Sequence, residues 1–150
     1  MSIQFFKEDV NLPTINFNAI IKVLKQSVRA NKCKLGTINY IFCSDEYLLK
    51  MNKQFLNHDY YTDVITFDYS EEKMVGGDIF ISTDRVRNNS ETYNQTFETE
   101  LLRVISHGFL HLLKFNDKED SEIVIMRYQE SELIKKIISY ENLASQKIGI

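Results

Sequence analysis

The sequence contains little proline and glycine, one and five residues among 150, which disfavours long disordered linkers. No stretch approaches the roughly 20 consecutive apolar residues that a membrane-spanning helix needs. The first residues, MSIQFFKEDV, lack a basic segment followed by an apolar run, so we expect no secretory signal and a cytoplasmic location. The length suits one hydrophobic core, and we expect a single domain over residues 1–150.

Cysteine is also scarce, and the chain has no excess of positive charge, with 18 lysines and arginines against 21 acidic residues. Cys33 and Cys43 have no histidine pair near enough to complete a zinc-finger spacing, so we expect two reduced, buried thiols. The formal net charge is −3, whereas nucleic-acid-binding domains are often basic overall. Any RNA binding would therefore have to use a local patch of the surface.

The apolar pattern predicts an α+β fold, a small mixed β-sheet of about four strands covered by helices. Strands are predicted at residues 3–7, 36–43, 63–69 and in DIFIS, which follows Gly76-Gly77. Helices are predicted at residues 16–31, from Ser44 or Asp45 to about Leu56, after a cap at Thr83 or Asp84, at 96–114, and at 120–141. The helix at 96–114, in the C-terminal half, has the strongest pattern.

Two of the three histidines share one face of that helix. His107 and His111 are one turn apart, so their imidazoles can bind one zinc ion. Asp117 lies in the polar segment that follows, and its carboxylate can reach the same ion if the chain folds back. Asn116 is predicted to supply the left-handed residue of that turn. Two imidazoles and one carboxylate leave a coordination position for water, which a catalytic site requires.

This histidine pair has a simpler interpretation, because two histidines at this spacing are often ordinary surface or core residues. The pattern also has an informative absence. Zinc peptidases of the HExxH type carry a glutamate beside the first histidine as general base, and here that position is Gly108. A peptidase mechanism of that type is therefore disfavoured.

Three segments resemble, in order, motifs of the YbeY family of single-domain, metal-dependent endoribonucleases of ribosomal RNA processing. HGFLHLLKFND resembles the family's HGxLHLxGYDH signature, MNKQFLNHDYYTDVITF resembles its LNxxYRxxDxPTDVLSF segment, and GGDIFIS is similar to its GDIxIS strand. The resemblance covers roughly residues 35–130. It implies an α+β fold with a small mixed sheet, and metal ligands at His107 and His111.

Three positions depart from the family's pattern. The family's third ligand is usually a histidine, and the ungapped position is Asp117, itself a competent zinc ligand. The glycine of the family's turn is Lys114 here, so we predict that the helix exit is made at Asn116 instead. The family's arginine, proposed to help catalysis, aligns with Leu56. Another cation would then hold the phosphate, and Arg103, one turn before the histidine pair, is the catalytic candidate; its alternative is an ordinary ion-paired arginine.

The resemblance favours a zinc-dependent, single-strand-specific endoribonuclease of ribosomal RNA maturation, with one zinc ion per chain. The predicted substrate-binding residues are Thr62 and Asp63, which match the family's TD, together with His58 and Lys114. His58 belongs to a loop with Tyr60 and Tyr61, and such aromatic side chains stack on unpaired bases. Packing at the sheet edge is the alternative for this loop, and a solvated side chain is the alternative for Lys114.

Two other functions stay open. The chain could be an RNA-binding ribosome assembly factor that acts with ribosomal proteins and holds a mainly structural zinc. It could also be a zinc hydrolase of amides or peptides, although Gly108 counts against that. The expected partners are ribosomal RNA, ribosomal proteins and assembly factors, with neither DNA nor a membrane among them.

Overall fold

Strands and helices follow the predicted order in the computed structural model, which describes residues 1–148 and the side chains of residues 1–143. The four strands are β1 (Ser2–Lys7), β2 (Lys34–Cys43), β3 (Val64–Asp68) and β4 (Met74–Ser82). The five helices are α1 (Phe17–Ala30), α2 (Asp45–Leu56), α3 (Thr83–Thr92), α4 (Phe97–Leu112) and α5 (Asp120–Ile148). The predicted α+β class, with a small mixed sheet and helices over it, is confirmed.

The sheet has the strand order β1-β2-β4-β3. Strands β1 and β2 run parallel, as do β2 and β4, whereas β3 runs antiparallel to β4. Strand β3 therefore lies at one edge of the sheet with a single neighbour. None of the described helices is long and apolar enough to cross a membrane.

Helices α1 and α4 pack on one face of the sheet, α5 packs on both of these helices, and the three together bury the larger core. Side chains from all three helices and from β2 and β4 meet there, among them Ile20, Leu24, Ile38, Phe42, Ile79, Ile81, Leu102, Phe109, Leu133 and Ile137. Helix α2 packs on the other face, where Leu48 contacts Cys43 and Ile65. Both cysteines are free; Cys43 is buried as predicted, whereas Cys33 is only half-buried.

Helix α4 is well defined at its start because Thr96 caps it. The Thr96 hydroxyl accepts a hydrogen bond from the Thr99 N–H at 3.1 Å, and Glu98 and Glu100 in the first turn favour the positive end of the helix dipole. Along its length the helix packs on the sheet, and the buried Tyr40 hydroxyl donates to the Ile105 carbonyl at 2.9 Å. These contacts fix the helix that carries the histidine pair.

Three predicted boundaries are wrong. Helix α3 is capped by Ser82 rather than by Thr83 or Asp84, because the Ser82 hydroxyl accepts from the Arg85 N–H at 3.1 Å. The Gly76-Gly77 pair lies inside β4 instead of preceding it, and a Cβ at Gly77 would collide with the Phe67 carbonyl. Helix α5 continues to Ile148, beyond the predicted end at residue 141.

Candidate metal centre and cleft

Helix α4 and the turn after it bring His107, His111 and Asp117 together. The two Nε2 atoms are 3.1 Å apart, and Asp117 Oδ2 lies 3.2 Å from His107 Nε2 and 3.4 Å from His111 Nε2. All three side chains are partly exposed. The cluster is therefore reachable from solvent and has one potential ligand atom from each residue.

The spacing of these atoms fits a tetrahedral metal ion. Ligand atoms at about 2.0–2.1 Å from such an ion are about 3.3–3.4 Å apart. The three observed separations, 3.1, 3.2 and 3.4 Å, are close to that value. Two imidazoles and one carboxylate are a donor set that zinc accepts, and they leave one tetrahedral position for another ligand. The group can hold a metal ion.

The buried side chain of Glu130, on α5, orients the first histidine. Glu130 is 3% exposed, and its Oε2 lies 2.6 Å from His107 Nδ1. A proton on Nδ1 satisfies this contact and leaves the Nε2 lone pair directed at the cluster. Histidines that bind metals commonly donate their other ring N–H to a carboxylate in this way.

Sequence reasoning missed Glu130, although a signal was present. Glu130 follows Met126 by four residues and precedes Leu133, Ile134 and Ile137 on the buried stripe of α5. A charged residue on such a stripe needs a partner in the protein interior, because burial of an unpaired carboxylate is costly. The partners here are His107 and Arg103, whose Nη1 lies 3.1 Å from Glu130 Oε1.

The cluster also shifts the ionisation of His107. Burial by itself would lower the pKa of His107, but the hydrogen bond and charge of Glu130 raise it above the usual value, with help from Asp117 and Asp63. Carboxylates around a histidine favour any positive charge on it, whether a proton or a metal ion. A proton on Nε2 would thus compete with a metal for the same lone pair.

The turn that delivers Asp117 is made at Lys114, so the prediction of a left-handed Asn116 is wrong. Lys114 has φ of 74°, its N–H donates to the His111 carbonyl at 3.0 Å, and the Phe115 N–H donates to the Leu110 carbonyl at 3.0 Å. Phe115 packs against the core. The chain must therefore reverse before Phe115, at Lys114, which is two residues earlier than Asn116.

Replacing Lys114 with glycine should stabilise the protein relative to the Lys114→Ala variant by about 1 kcal/mol, because only glycine adopts the left-handed conformation without a Cβ penalty. Both variants lose the exposed ion pair between Lys114 Nζ and Asp68 Oδ2, at 2.6 Å, so the difference isolates the backbone term. Chemical denaturation measures the two free energies of unfolding. Equal stability of the two variants would contradict this account of the turn.

Gly108 lies against the sheet rather than in the cleft. A Cβ built there would be 2.8 Å from Ile79 Cγ2 and 3.4 Å from Thr66 Oγ1. A longer side chain would collide with β4. The position that carries the general base in HExxH peptidases thus has no room for a glutamate in this fold.

A cleft of about 670 Å³ opens beside the three candidate ligands. The free edge of β3 and the loop after α2 form its other walls. Its lining includes Asn52, Leu56, His58, Tyr60, Thr62, Asp63, Val64, Ile65, Thr66, Asp68, His107, His111 and Asp117. Of the predicted substrate-binding residues, His58, Thr62 and Asp63 therefore lie on this cleft, whereas Lys114 pairs with Asp68 nearby.

The loop after α2 is held in place by its own contacts. The buried Asn52 side chain donates from Nδ2 to the Tyr60 carbonyl at 2.9 Å. The rings of His58 and Tyr60 stack with centroids 5.1 Å apart. Tyr61 turns away from them, since its hydroxyl donates to Glu46 at 2.7 Å and its ring lies 5.0 Å from the Arg85 guanidinium. Only the His58–Tyr60 pair of this loop's aromatic side chains lines the cleft.

Asp63 lines both the main cleft and a second one, of about 470 Å³, and the two clefts also share His107 and Asp117. Burial raises the pKa of the Asp63 carboxyl, and the positive charge of His107 partly opposes that shift. Arg103 and Arg127 also line the second cleft. Arg103 forms an ion pair with Glu130, which accepts its hydrogen bond. This matches the alternative given above for Arg103, an ordinary ion-paired arginine.

Comparison with known proteins adds an independent line of observations. The family model described as "Endoribonuclease YbeY" matches residues 2–138. A protein named Endoribonuclease YbeY from Parabacteroides distasonis is 46% identical over 134 residues, covering 89% of this chain and 94% of the relative. One of the same name from Cytophaga hutchinsonii is 48% identical over 130 residues, covering 86% and 91%.

A solved structure shares the fold. The solution structure of a Thermotoga maritima protein superposes with a TM-score of 0.70 at 26% identity, and the match covers 97% of this chain and 95% of the other. The likeness extends over all the elements that carry the cluster and the cleft.

Proposed function

Because the chain belongs to the YbeY family of endoribonucleases, we propose that it cleaves RNA with one zinc ion held by His107, His111 and Asp117. The proposed enzyme is a single metal-dependent hydrolase domain spanning residues 1–150. Its proposed substrate is single-stranded ribosomal RNA during ribosome maturation, with ribosomal proteins or assembly factors as further partners.

The strongest support for a metal-dependent activity is the geometry of the three potential ligand atoms. They are separated by nearly equal distances and lie beside an open cleft. An ion bound there would supply Lewis-acid chemistry, which polarises a phosphoryl oxygen and makes water a better nucleophile at neutral pH. Imidazole with carboxylate suits zinc among the divalent ions. The helical positions of the two histidines reduce the ordering cost of binding.

The chain's own residues would hold the substrate beside this group. His58 and Tyr60, whose rings stack on each other, line the cleft, and Thr62 and Asp63 line it just before β3 begins. Aromatic stacking requires unpaired bases, which supports the proposal of single-stranded RNA. Burial raises the pKa of the Asp63 carboxyl, and in this proposal Asp63 accepts or donates a proton during cleavage.

Arg103 supports the site in a different way from the one that the sequence suggested. Its guanidinium donates to Glu130 and lines the second cleft next to His107. It therefore helps to fix the carboxylate that orients His107. Its proposed role in contacting a phosphate stays a prediction, and Leu56, at the position of the family's arginine, lines the main cleft without a charge.

Removing the metal should abolish RNA cleavage, and adding zinc should restore it. The assay incubates a ribosomal RNA transcript with the metal-loaded protein, with protein stripped by a chelator, and with stripped protein after zinc is returned. Parallel binding measurements on the same transcript use each preparation. Cleavage that persists at full rate without metal would contradict the proposal, and binding without cleavage by the zinc-loaded protein would favour an RNA-binding assembly factor instead.

A further inference from the structure

We propose that the free edge of β3 reads unpaired bases of the RNA, through the main-chain N–H and C=O of Thr66. This proposal rests on the proposed function for its choice of ligand. It adds a binding surface made of backbone groups, which no side-chain motif identifies.

The register of the sheet determines which backbone groups of β3 face outward. Pairing with β4 is continuous from Val64 to Asp68. At the two ends, the Ser82 N–H donates to the Asp63 carbonyl at 2.9 Å, and the Tyr69 N–H donates to the Gly76 carbonyl at 3.0 Å. In an antiparallel ladder, alternate residues exchange both hydrogen bonds with the neighbour. Odd-numbered residues of β3 therefore bond to β4, and even-numbered residues direct their N–H and C=O away from it.

Thr66 is the even-numbered residue best placed for a ligand. Val64 is partly engaged, because its carbonyl accepts from Thr62 Oγ1 at 3.5 Å and its N–H approaches the Asp63 carboxylate. The main chain of Thr66 forms no hydrogen bond with any residue that the structure describes. Thr66 is among the residues that line the same cleft as His107, His111 and Asp117.

The chemistry of the cleft favours bases over phosphates at this edge. The described residues that line the cleft include Asp63, Asp68 and Asp117 but neither lysine nor arginine. The nearby Lys114 is held in an ion pair with Asp68 at 2.6 Å, so apart from a bound metal the described lining residues offer a phosphate no lysine or arginine. An N–H and a C=O side by side are a donor–acceptor pair, and such a pair complements the Watson–Crick edge of a nucleobase.

Two aromatic residues of the same lining support the same occupant. His58 and Tyr60, whose rings stack on each other with centroids 5.1 Å apart, line this cleft together with Thr66, and aromatic side chains of this kind can stack on a base. Only a base that has left its duplex partner exposes its Watson–Crick edge. The aromatic pair and the β3 edge together would therefore select single-stranded RNA.

Replacement of Thr66 by proline tests the contact, because proline removes the outward N–H and nothing from the ladder. An edge strand tolerates proline where its N–H faces away from the sheet. Thr66→Val is the matched control, since it loses the hydroxyl but keeps the N–H. The probe is a short single-stranded RNA with 2′-O-methyl phosphorothioate linkages that resist cleavage, and binding to zinc-loaded protein is followed by fluorescence anisotropy. We expect Thr66→Pro to bind about 3- to 10-fold more weakly than Thr66→Val.

A second probe separates bases from phosphates. The same oligonucleotide with abasic sugars keeps its backbone, so the two variants should bind it equally. A larger deficit of Thr66→Pro that persists with the abasic RNA would place the contact on the RNA backbone and overturn the proposal. Equal binding of the two variants to the RNA with bases would overturn it as well.

Hydrogen exchange in the wild-type protein tests the same contact without a variant that could misfold. The amides of Ile65 and Phe67 bond to β4 and should exchange slowly with or without RNA, whereas the amide of Thr66 should become protected only when the RNA is added. Unchanged exchange at Thr66 under saturating RNA would refute the contact. None of these measurements uses cleavage, so protection at Thr66 in a protein that cuts no RNA would reject the proposed activity and keep the binding surface.

Discussion

Replacing His111 with alanine should remove the proposed zinc ion and lower RNA cleavage by at least about 100-fold. Mutation of a residue that only hydrogen-bonds to a metal ligand typically lowers metal affinity or activity by about 10- to 100-fold, and loss of a ligand itself should have a larger effect. His107 and Asp117 alone would leave an ion with two protein ligands, too few for a stable site. The metal content of purified protein and the cleavage rate on a ribosomal RNA transcript measure the two effects. Both should fall together.

The third histidine provides the control for metal content. His58 lies on the same cleft but outside the group of ligand atoms, so His58→Ala should retain the metal. Asp117→Ala should lose it, whereas Asp117→His should keep it, because an imidazole is also a competent ligand. Unchanged zinc in Asp117→Ala would remove that residue from the ligand set.

Replacing Glu130 with alanine should weaken metal binding by about 10- to 100-fold while all three ligands remain in place. In the variant the His107 ring is free to rotate and to carry its proton on either nitrogen. A smaller fraction of the molecules then presents an unprotonated Nε2 to the ion. Glu130→Gln should fall between the wild type and the alanine variant, because its carbonyl oxygen can still accept from Nδ1 but carries no charge. Competition with a chelator of known affinity measures the dissociation constants.

Glu132 on the same helix is the matched control. Its carboxylate is partly exposed and lies 3.7 Å from Lys135 Nζ, and Glu132→Ala should leave the metal affinity unchanged. Thermal unfolding of the metal-free proteins separates a loss of orientation from a loss of fold. If Glu130→Ala and Glu132→Ala bound zinc equally well, Glu130 would have no part in positioning His107.

The histidine pair and the aspartate could be predicted because their relation is local. A helix fixes the spacing of His107 and His111, and Asp117 follows His111 by only six residues, just after the helix ends. The exit at Lys114 could not be read from residue preferences, since it depends on where Phe115 must reach the core. Residue preference alone selected Asn116, which lies two residues after Lys114, where the chain has already turned.

Glu130 and the β3 edge depend on tertiary structure, which is why sequence patterns did not identify them. Glu130 reaches His107 only through the packing of α5 on α4. The apolar pattern of α5 is also imperfect, because Ile123 and Ile138 are 44% and 39% exposed. The outward backbone of Thr66 follows from pairing with β4, and alternation along β3 does not show which edge lies open.

The carboxylate shared between two helices has a consequence for the apoprotein. Glu130 joins α5 to α4 through His107 and Arg103 at once. An ion that holds His107 in the orientation Glu130 recognises must also strengthen the attachment of the C-terminal helix, since linked equilibria are reciprocal. Loss of the proposed ion would then loosen the packing of α5 on α4 as well as empty the centre.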